Sequence, residues 1–238
     1  MTTSTTPVPL LCLPPAGGGP SFFASWAGAD PALDVVALPL PGKEALFIDE
    51  PAETVADLVE AVLPSVHEAV EGKDRVALFG HCFGAVVAYA LAERLATTRP
   101  GLGLVLFASG SAAPGVLLWE QATGLPDDAF VEAVERNAGL RNPALGDPDL
   151  RELLLPVLRA DVAAQESYAP VDKPSGTYRI VTVRGEQDEL VGAADSARWA
   201  EFAGEPPRAF ELPGGHMYLL EQRDPLLEIV RHELDSSA

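Results

Sequence analysis

The residues best suited to covalent chemistry in this chain of 238 residues lie in the pentapeptide 80–84 (GHCFG). An apolar run typical of a strand precedes it, and small apolar residues typical of a helix follow it. A G-x-nucleophile-x-G turn between a strand and a helix lifts its central side chain above the sheet. The backbone N–H of the next residue is then free to stabilise an oxyanion. The pattern therefore predicts Cys82 as a nucleophile and the N–H of Phe83 as an oxyanion donor.

The alternative for any cysteine is a buried and inert thiol, which behaves as a small apolar side chain. We apply that interpretation to Cys12, which lies inside the first apolar run of the chain. It fits Cys82 less well, because a turn of this type exposes its central side chain.

A cysteine nucleophile needs a general base, and the chain contains four histidines. His67 falls in an amphipathic segment and His232 in a charged one, so both are expected at the surface. The turn is expected to direct the side chain of His81 away from the site that the nucleophile faces. His216 remains, on a glycine-rich loop after the last apolar run, and is the predicted base.

A carboxylate that orients this base is expected after the preceding apolar run. Asp188 in the segment 185–188 (GEQD) is the favoured residue, and Glu186 and Glu189 in the same loop are the alternatives. The chain order Cys82, Asp188, His216 is the order nucleophile, acid, base that is typical of α/β-hydrolases.

The elements that must position these residues are six short apolar runs that alternate with helical patterns. The runs are Val8–Leu13, 33–38, 75–79, 103–108, 177–184 and 207–212. Continuous apolar runs of this length are typical of parallel strands that are buried on both faces. Helices are predicted over 55–70, with a kink at Pro64, and over 83–95. The pattern predicts one α/β domain over residues 1–238, with a mainly parallel sheet flanked by helices.

The segment 112–172 breaks the alternation, because it contains two helical patterns (127–137 and 147–160) and no convincing strand. We expect these helices, inserted between the fourth and fifth strands, to form a lid over the carboxyl ends of the strands. The alternative is a helical addition to the surface without this role.

The overall charge excludes some classes of function. The chain has 35 acidic and 16 basic residues, which gives a net charge of −19 and a pI near 4.4. Such a surface repels nucleic acids and anionic membranes, so neither is an expected partner. Two cysteines and an N-terminus without the features of a secretory signal indicate a cytoplasmic protein. No metal site is expected.

Over nearly its whole length the sequence resembles the type II thioesterases that accompany nonribosomal peptide and polyketide synthases. The resemblance is carried by 11–19 (LCLPPAGGG), 21–26 (SFFASW), 35–44 (VVALPLPGKE), 80–84, 125–130 (LPDDAF), 149–156 (DLRELLLP), 185–188 and 214–216 (GGH). It implies an α/β-hydrolase fold with a helical lid, and no cofactor of its own. The implied substrates are acyl groups bound as thioesters to the phosphopantetheine of acyl or peptidyl carrier proteins.

Two residues depart from the pattern of this family. Pro15 stands where the family motif P-H-A-G-G has its histidine, but the backbone N–H of Ala16 is still implied as the second oxyanion donor. Cys82 stands in place of the usual serine. A laboratory substitution of that serine by cysteine would give the same sequence. An acyl-cysteine remains an activated thioester, so three functions stay open: hydrolysis for editing or release, acyl transfer or cyclisation, and non-catalytic binding of acyl groups or carriers.

The charge also bears on how a carrier protein docks. Carrier proteins of this class are generally acidic, and the segment 112–172 has 11 acidic residues against four arginines. Long-range electrostatics would therefore oppose the encounter. Docking through apolar contacts or through these arginines is expected, namely Arg136, Arg141, Arg151 and Arg159.

Overall fold

A computed structural model describes residues 6–138, 143–170 and 175–236 of the chain. The strands of this described part are β1 (Val8–Leu13), β2 (Leu33–Ala37), β3 (Arg75–His81), β4 (Gly103–Ser109), β5 (Arg179–Gly185) and β6 (Arg208–Leu212). They form one sheet in the spatial order β2-β1-β3-β4-β5-β6, and every neighbouring pair is parallel. The predicted parallel sheet is confirmed, with strand ends displaced by at most two residues from the sequence pattern.

The strands are continuous apolar runs because both faces of the sheet are covered. In β1, Leu11 and Leu13 join an apolar cluster on one face, while Leu10 and Cys12 join a separate cluster on the other. The thiol of Cys12 is fully buried, as the sequence predicts.

Helices lie on both sides of the sheet. They are α1 (Val55–Ala69), α2 (Phe83–Thr98), α3 (Asp127–Ala138), α4 (Pro148–Ser167), α5 (Ala193–Ala197) and α6 (Arg223–Asp235). Residues of α1 and α2 belong to the first cluster, whereas α6 packs with the 3₁₀ helix Pro20–Trp26 in the second. Helix α1 begins where Thr54 accepts a hydrogen bond from the N–H of Asp57 (3.1 Å). It continues through Pro64, where the sequence predicts a kink.

The segment 112–172 contains α3, α4 and the 3₁₀ helix Pro143–Gly146, and its described residues form no strand. These helices share an apolar cluster of their own. Its buried members are Ala122, Phe130, Ala133, Leu145, Leu155, Leu158 and Val162. Helix α4 begins at a side-chain cap, since Asp147 accepts hydrogen bonds from the N–H groups of Asp149 and Leu150. That this segment acts as a lid stays a prediction.

The order of the strands determines where a site can form. The chain passes from β1 to the neighbouring strand β2 on one side and then to β3 on the other. The connections after β1 and β3 therefore leave the sheet in opposite directions and open a crevice between them, where ligands of α/β proteins commonly bind. The residues at this crevice are the loop 14–19 and Cys82. Every helix in the described ranges is too short or too polar to span a bilayer.

Candidate active site

Cys82 lies at the sharp turn between β3 and α2. Its backbone has φ +55° and ψ −119°, a conformation that L-residues adopt only when the surrounding structure imposes it. The N–H of Cys82 donates a hydrogen bond to the carbonyl of Ser109 (2.8 Å), which fixes the turn to the end of β4. The side chain is half-buried, in contrast to that of Cys12.

Close backbone contacts explain the glycines of this turn. A Cβ on Gly84 would lie 2.2 Å from the carbonyl oxygen of Leu13 and 2.5 Å from that of Pro14. A side chain at this position would therefore push the first turn of α2 away from the loop after β1. Glycine allows the two to meet, and it places the N–H of Phe83, the first residue of α2, beside the loop that contains Ala16.

The predicted base and acid meet at the carboxyl ends of β5 and β6. His216 Nδ1 lies 2.9 Å from Asp188 Oδ2, and Cys82 lies close enough to the same imidazole to raise the pKa of His216. Since Nδ1 faces the carboxylate, Nε2 is available to the thiol. The structure thus brings together Cys82, His216 and Asp188 in the order that a nucleophile, a base and an orienting acid require.

The carboxylate of Asp188 is held by the backbone. Its second oxygen, Oδ1, accepts hydrogen bonds from the N–H groups of Leu190 (2.9 Å) and Val191 (3.0 Å). Burial raises the pKa of Asp188, but the hydrogen bond from His216 and those from the backbone outweigh burial and keep the pKa below its ordinary value. Glu186 and Glu189, the alternatives from the sequence, are both exposed.

The environment favours the charged form of His216. Burial lowers its pKa, but the interactions with Asp188 and Cys82 outweigh burial and raise the pKa to about 10. At neutral pH the imidazole is therefore protonated and paired with Asp188. The base therefore lies beside Cys82 in its charged form.

The structure places His81 beside the predicted base. Its ring is fully buried and packs against the ring of His216, with 5.0 Å between the ring centroids. His81 Nδ1 lies 2.9 Å from Ser109 Oγ, which in turn lies 2.8 Å from the hydroxyl of Tyr218. Strand β3 extends through His81, so this side chain lies beside its register partner Ser109.

The hydrogen-bonded side chains of His81, Ser109 and Tyr218 are a part of the site that the sequence did not indicate. Burial, with the nearby charge of His216, holds the pKa of His81 well below its ordinary value, so that ring is neutral. The only signal in the sequence was the position of Tyr218 two residues after His216. The remaining histidines, His67 and His232, are exposed as predicted.

The arginines predicted to dock a carrier have different environments. Arg151 lies 2.8 Å from Asp128, and Arg159 lies 2.6 Å from Asp127 and 4.2 Å from the centre of the Phe130 ring. Both therefore tie α4 to α3. Arg136 is exposed in the last turn of α3, and Arg141 lies outside the described residues. Within the described part of the chain, no group of three or more His, Cys, Asp or Glu side chains could hold a metal ion.

Comparison with known proteins assigns nearly the whole chain to one protein family. The family model of the thioesterase domain matches residues 8–234. The thioesterase PikA5 of Streptomyces venezuelae is 31% identical over 216 residues, which cover 90% of this chain and 76% of that protein.

Two solved structures are similar in both sequence and fold. The type II thioesterase BorB from the borrelidin biosynthetic cluster is 32% identical, with a TM-score of 0.81 over 96% of this chain and 93% of that one. The type II thioesterase YbtT from the yersiniabactin NRPS/PKS biosynthetic pathway is 28% identical, with a TM-score of 0.83 over 99% and 96%. These similarities confirm the predicted α/β-hydrolase fold.

Proposed function

Since this chain belongs to the thioesterase domain family, we propose that it is a type II thioesterase of nonribosomal peptide or polyketide biosynthesis. Its substrates are acyl groups bound as thioesters to the phosphopantetheine of a carrier protein, and its role is editing or product release in the cytoplasm. The roles in the names of BorB and YbtT support this proposal.

The observation that carries the proposal is the contact between Cys82, His216 and Asp188 at the crevice of the sheet. A strained turn presents the thiol, a charged imidazole bonds it, and a buried carboxylate 2.9 Å away holds the imidazole. A non-catalytic binding protein would have no need of this complete arrangement.

Acylation follows from this geometry. With the proton of the Cys82 thiol transferred to His216, the sulfur of Cys82 attacks the thioester carbonyl and forms a new C–S bond, while the carbonyl electron pair moves to the oxygen. The N–H groups of Ala16 and Phe83 stabilise this oxyanion, a contribution on the order of 3–4 kcal/mol for each donor in comparable sites. The intermediate then collapses, the bond to the pantetheine sulfur breaks, and the imidazolium of His216 supplies the proton to the departing thiolate.

Deacylation uses the same groups, with His216 now acting as the base. Neutral His216 removes a proton from a water molecule as the water oxygen attacks the carbonyl of the acyl-cysteine. Collapse of the second oxyanion breaks the C–S bond to Cys82, and the acid leaves. Asp188 stabilises the imidazolium in both halves of the cycle.

The cysteine itself supports a second candidate function. An acyl-serine is an ester, whereas the acyl-cysteine is still a thioester and retains the reactivity of the substrate. An amine, a carbon nucleophile or the thiol of a second carrier could replace water in the deacylation step. Acyl transfer or cyclisation is therefore the alternative to hydrolysis at this site.

A panel of acyl-pantetheine thioesters tests the proposal, with products scored as free acid, transferred acyl group or cyclised product. We expect free acid, and a loss of at least roughly 10³-fold in turnover for Cys82→Ala. Cys82→Ser is the matched variant, because its ester intermediate permits hydrolysis but disfavours transfer. Full turnover by Cys82→Ala would contradict the proposal, and a transferred or cyclised product lost in Cys82→Ser would favour the second candidate.

A further inference from the structure

A buried ion pair joins the segment 112–172 to the segment after β2, next to the loop after β1. Asp161, on α4, is only 2% exposed, and its Oδ2 lies 2.6 Å from Lys43 Nζ. The same oxygen accepts a hydrogen bond from the backbone N–H of Gly17, also at 2.6 Å. Removing two charges from water is costly, and a pair of this kind is weak evidence for stability alone. The hydrogen bond to Gly17 points to a role in the site.

Gly17 occupies the third position of a tight turn. The N–H of Gly18 donates to the carbonyl of Pro15 (2.9 Å), so the turn comprises residues 15–18 with Ala16 at its second position. Gly17 has φ +75°, which a type II turn requires at its third position. Types I and II differ by a flip of the central peptide, here the peptide between Ala16 and Gly17.

We propose that Asp161 is a positioning residue that holds the oxyanion loop (residues 14–19) in its active conformation. The inference deepens the proposed function and rests on it. By accepting the N–H of Gly17, Asp161 selects one of the two orientations of the central peptide. The bond anchors Gly17, the residue after Ala16, to α4, so the turn that presents the N–H of Ala16 is held in place beside the site.

Lys43 stabilises the negative charge of the Asp161 carboxylate, which accepts the N–H of Gly17. Burial raises the pKa of Asp161, and the charge and hydrogen bond of Lys43, with the N–H of Gly17, counteract that effect. The next residue, Glu44, has φ +47°, and its carboxylate accepts hydrogen bonds from the N–H (2.9 Å) and hydroxyl (2.6 Å) of Ser21. The dipeptide 43–44 thus fixes the chain just beyond the oxyanion loop and also supplies the partner of Asp161.

The arrangement makes the position of α4 a condition for catalysis. Besides Asp161, α4 places Leu158 against the loop, since a Cβ on Gly17 would lie 3.1 Å from Leu158 Cδ1. Displacement of α4 would remove both contacts at once and release the peptide between Ala16 and Gly17. The donor at Ala16 is therefore held in place only when α4 is seated on the loop, whereas the donor at Phe83 belongs to α2.

Two double variants isolate the hydrogen bond to Gly17 from the burial of charge. Lys43→Met/Asp161→Asn and Lys43→Met/Asp161→Leu both remove the ion pair and keep the approximate volume. They differ in that the asparagine amide oxygen can accept the N–H of Gly17, whereas leucine cannot. If the leucine variant does not fold, Lys43→Met/Asp161→Ala takes its place, because it removes the acceptor without adding volume.

Two rates are measured on each protein. Acylation of Cys82 by an acyl-pantetheine thioester passes through an oxyanion, whereas alkylation of Cys82 by iodoacetamide does not. We expect the leucine variant to acylate about 10- to 100-fold more slowly than the asparagine variant, somewhat less than the loss of a whole donor. Their alkylation rates should agree, because the thiol and His216 are unchanged.

Glu166→Ala is the matched control. Glu166 is a second carboxylate on α4, and it accepts hydrogen bonds from the N–H groups of Ala122 and Thr123, away from the oxyanion loop. Its removal should leave both rates unchanged. Equal acylation by the asparagine and leucine variants would overturn the inference while leaving the proposed function intact, and so would slow acylation by Glu166→Ala. A wild-type protein that is not acylated would instead contradict the proposed function, and the inference with it.

Discussion

At the scale of single residues, the site depends on a charge relationship between Cys82 and His216. Asp188 alone does not account for the high pKa of His216, because the hydrogen bond and the charge of Cys82 also raise it. Cys82 therefore helps to keep His216 in its charged form before substrate arrives.

This relationship predicts how His216 titrates. In the wild-type protein the imidazole should lose its proton near pH 10. Cys82→Ala should lower the pKa, because it removes two of the interactions that favour the imidazolium, so that the transition moves toward neutral pH. NMR titration of isotope-labelled histidine measures both values. An ordinary histidine pKa of about 6.5 in both proteins would contradict the charge pair.

The sequence could indicate the triad but not the residues that support it. Cys82, Asp188 and His216 each follow a strand, so their side chains had to meet at the carboxyl edge of a parallel sheet. Lys43 and Asp161 lie in segments separated by 118 residues, and nothing local in either segment indicates a partner. Their pairing depends on where α4 packs, which no periodic pattern specifies.

At the scale of elements, the turn between β3 and α2 is determined by contacts that leave no room for side chains. A Cβ on Gly80 would lie 2.1 Å from the carbonyl oxygen of Gly84, and one on Gly84 would lie 2.2 Å from that of Leu13. The backbones of β3, α2 and the oxyanion loop are therefore in direct contact. The positive φ of Cys82 is maintained by this packing.

The substitution Gly84→Ala should therefore be costly. Because the new methyl group would meet backbone atoms that cannot rotate away, we expect the free energy of unfolding to fall by about 1–3 kcal/mol or more. Urea denaturation measures the change. Gly146→Ala is the matched control, since nothing lies within 4 Å of a Cβ at that position, and it should have little effect. Equal stability of the two variants would contradict the account of the turn.

The elements themselves were largely predictable, and their exact ends were not. Apolar runs between glycines and prolines identified every strand of the described sheet because each strand is covered on both faces. The pattern ended β3 at residue 79, whereas the strand continues through His81. His81 is one of these two residues, and its register with Ser109 is set by the pairing with β4 rather than by local sequence.

At the scale of the whole molecule, the net charge of −19 constrains the approach of a carrier protein. Two of the four arginines that the sequence offers for docking are paired with Asp127 and Asp128, so little of their charge faces an incoming partner. An acidic carrier would then be repelled at long range and would depend on short-range contacts. Salt should reduce this repulsion.

We therefore expect kcat/KM for an acyl group on an acidic carrier to rise as ionic strength increases from low to physiological values. The rise should be roughly a few-fold, because exposed charges are screened over about 8–10 Å. The same acyl group on free pantetheine is the control and should react at a rate that salt hardly changes. A fall in kcat/KM with salt would indicate an attractive basic patch and contradict this account.

The central claim is that the acyl group passes through the sulfur of Cys82. Intact-protein mass spectrometry after rapid quenching of the reaction with an acyl-pantetheine thioester tests it most directly. Peptide mapping should place one acyl group on Cys82 and none on Cys12, which is fully buried with burial raising the pKa of its thiol. The adduct should be absent in Cys82→Ala, and turnover should be lost with it. Hydrolysis at the wild-type rate by Cys82→Ala, with no adduct on Cys82 in the wild-type protein, would contradict the account.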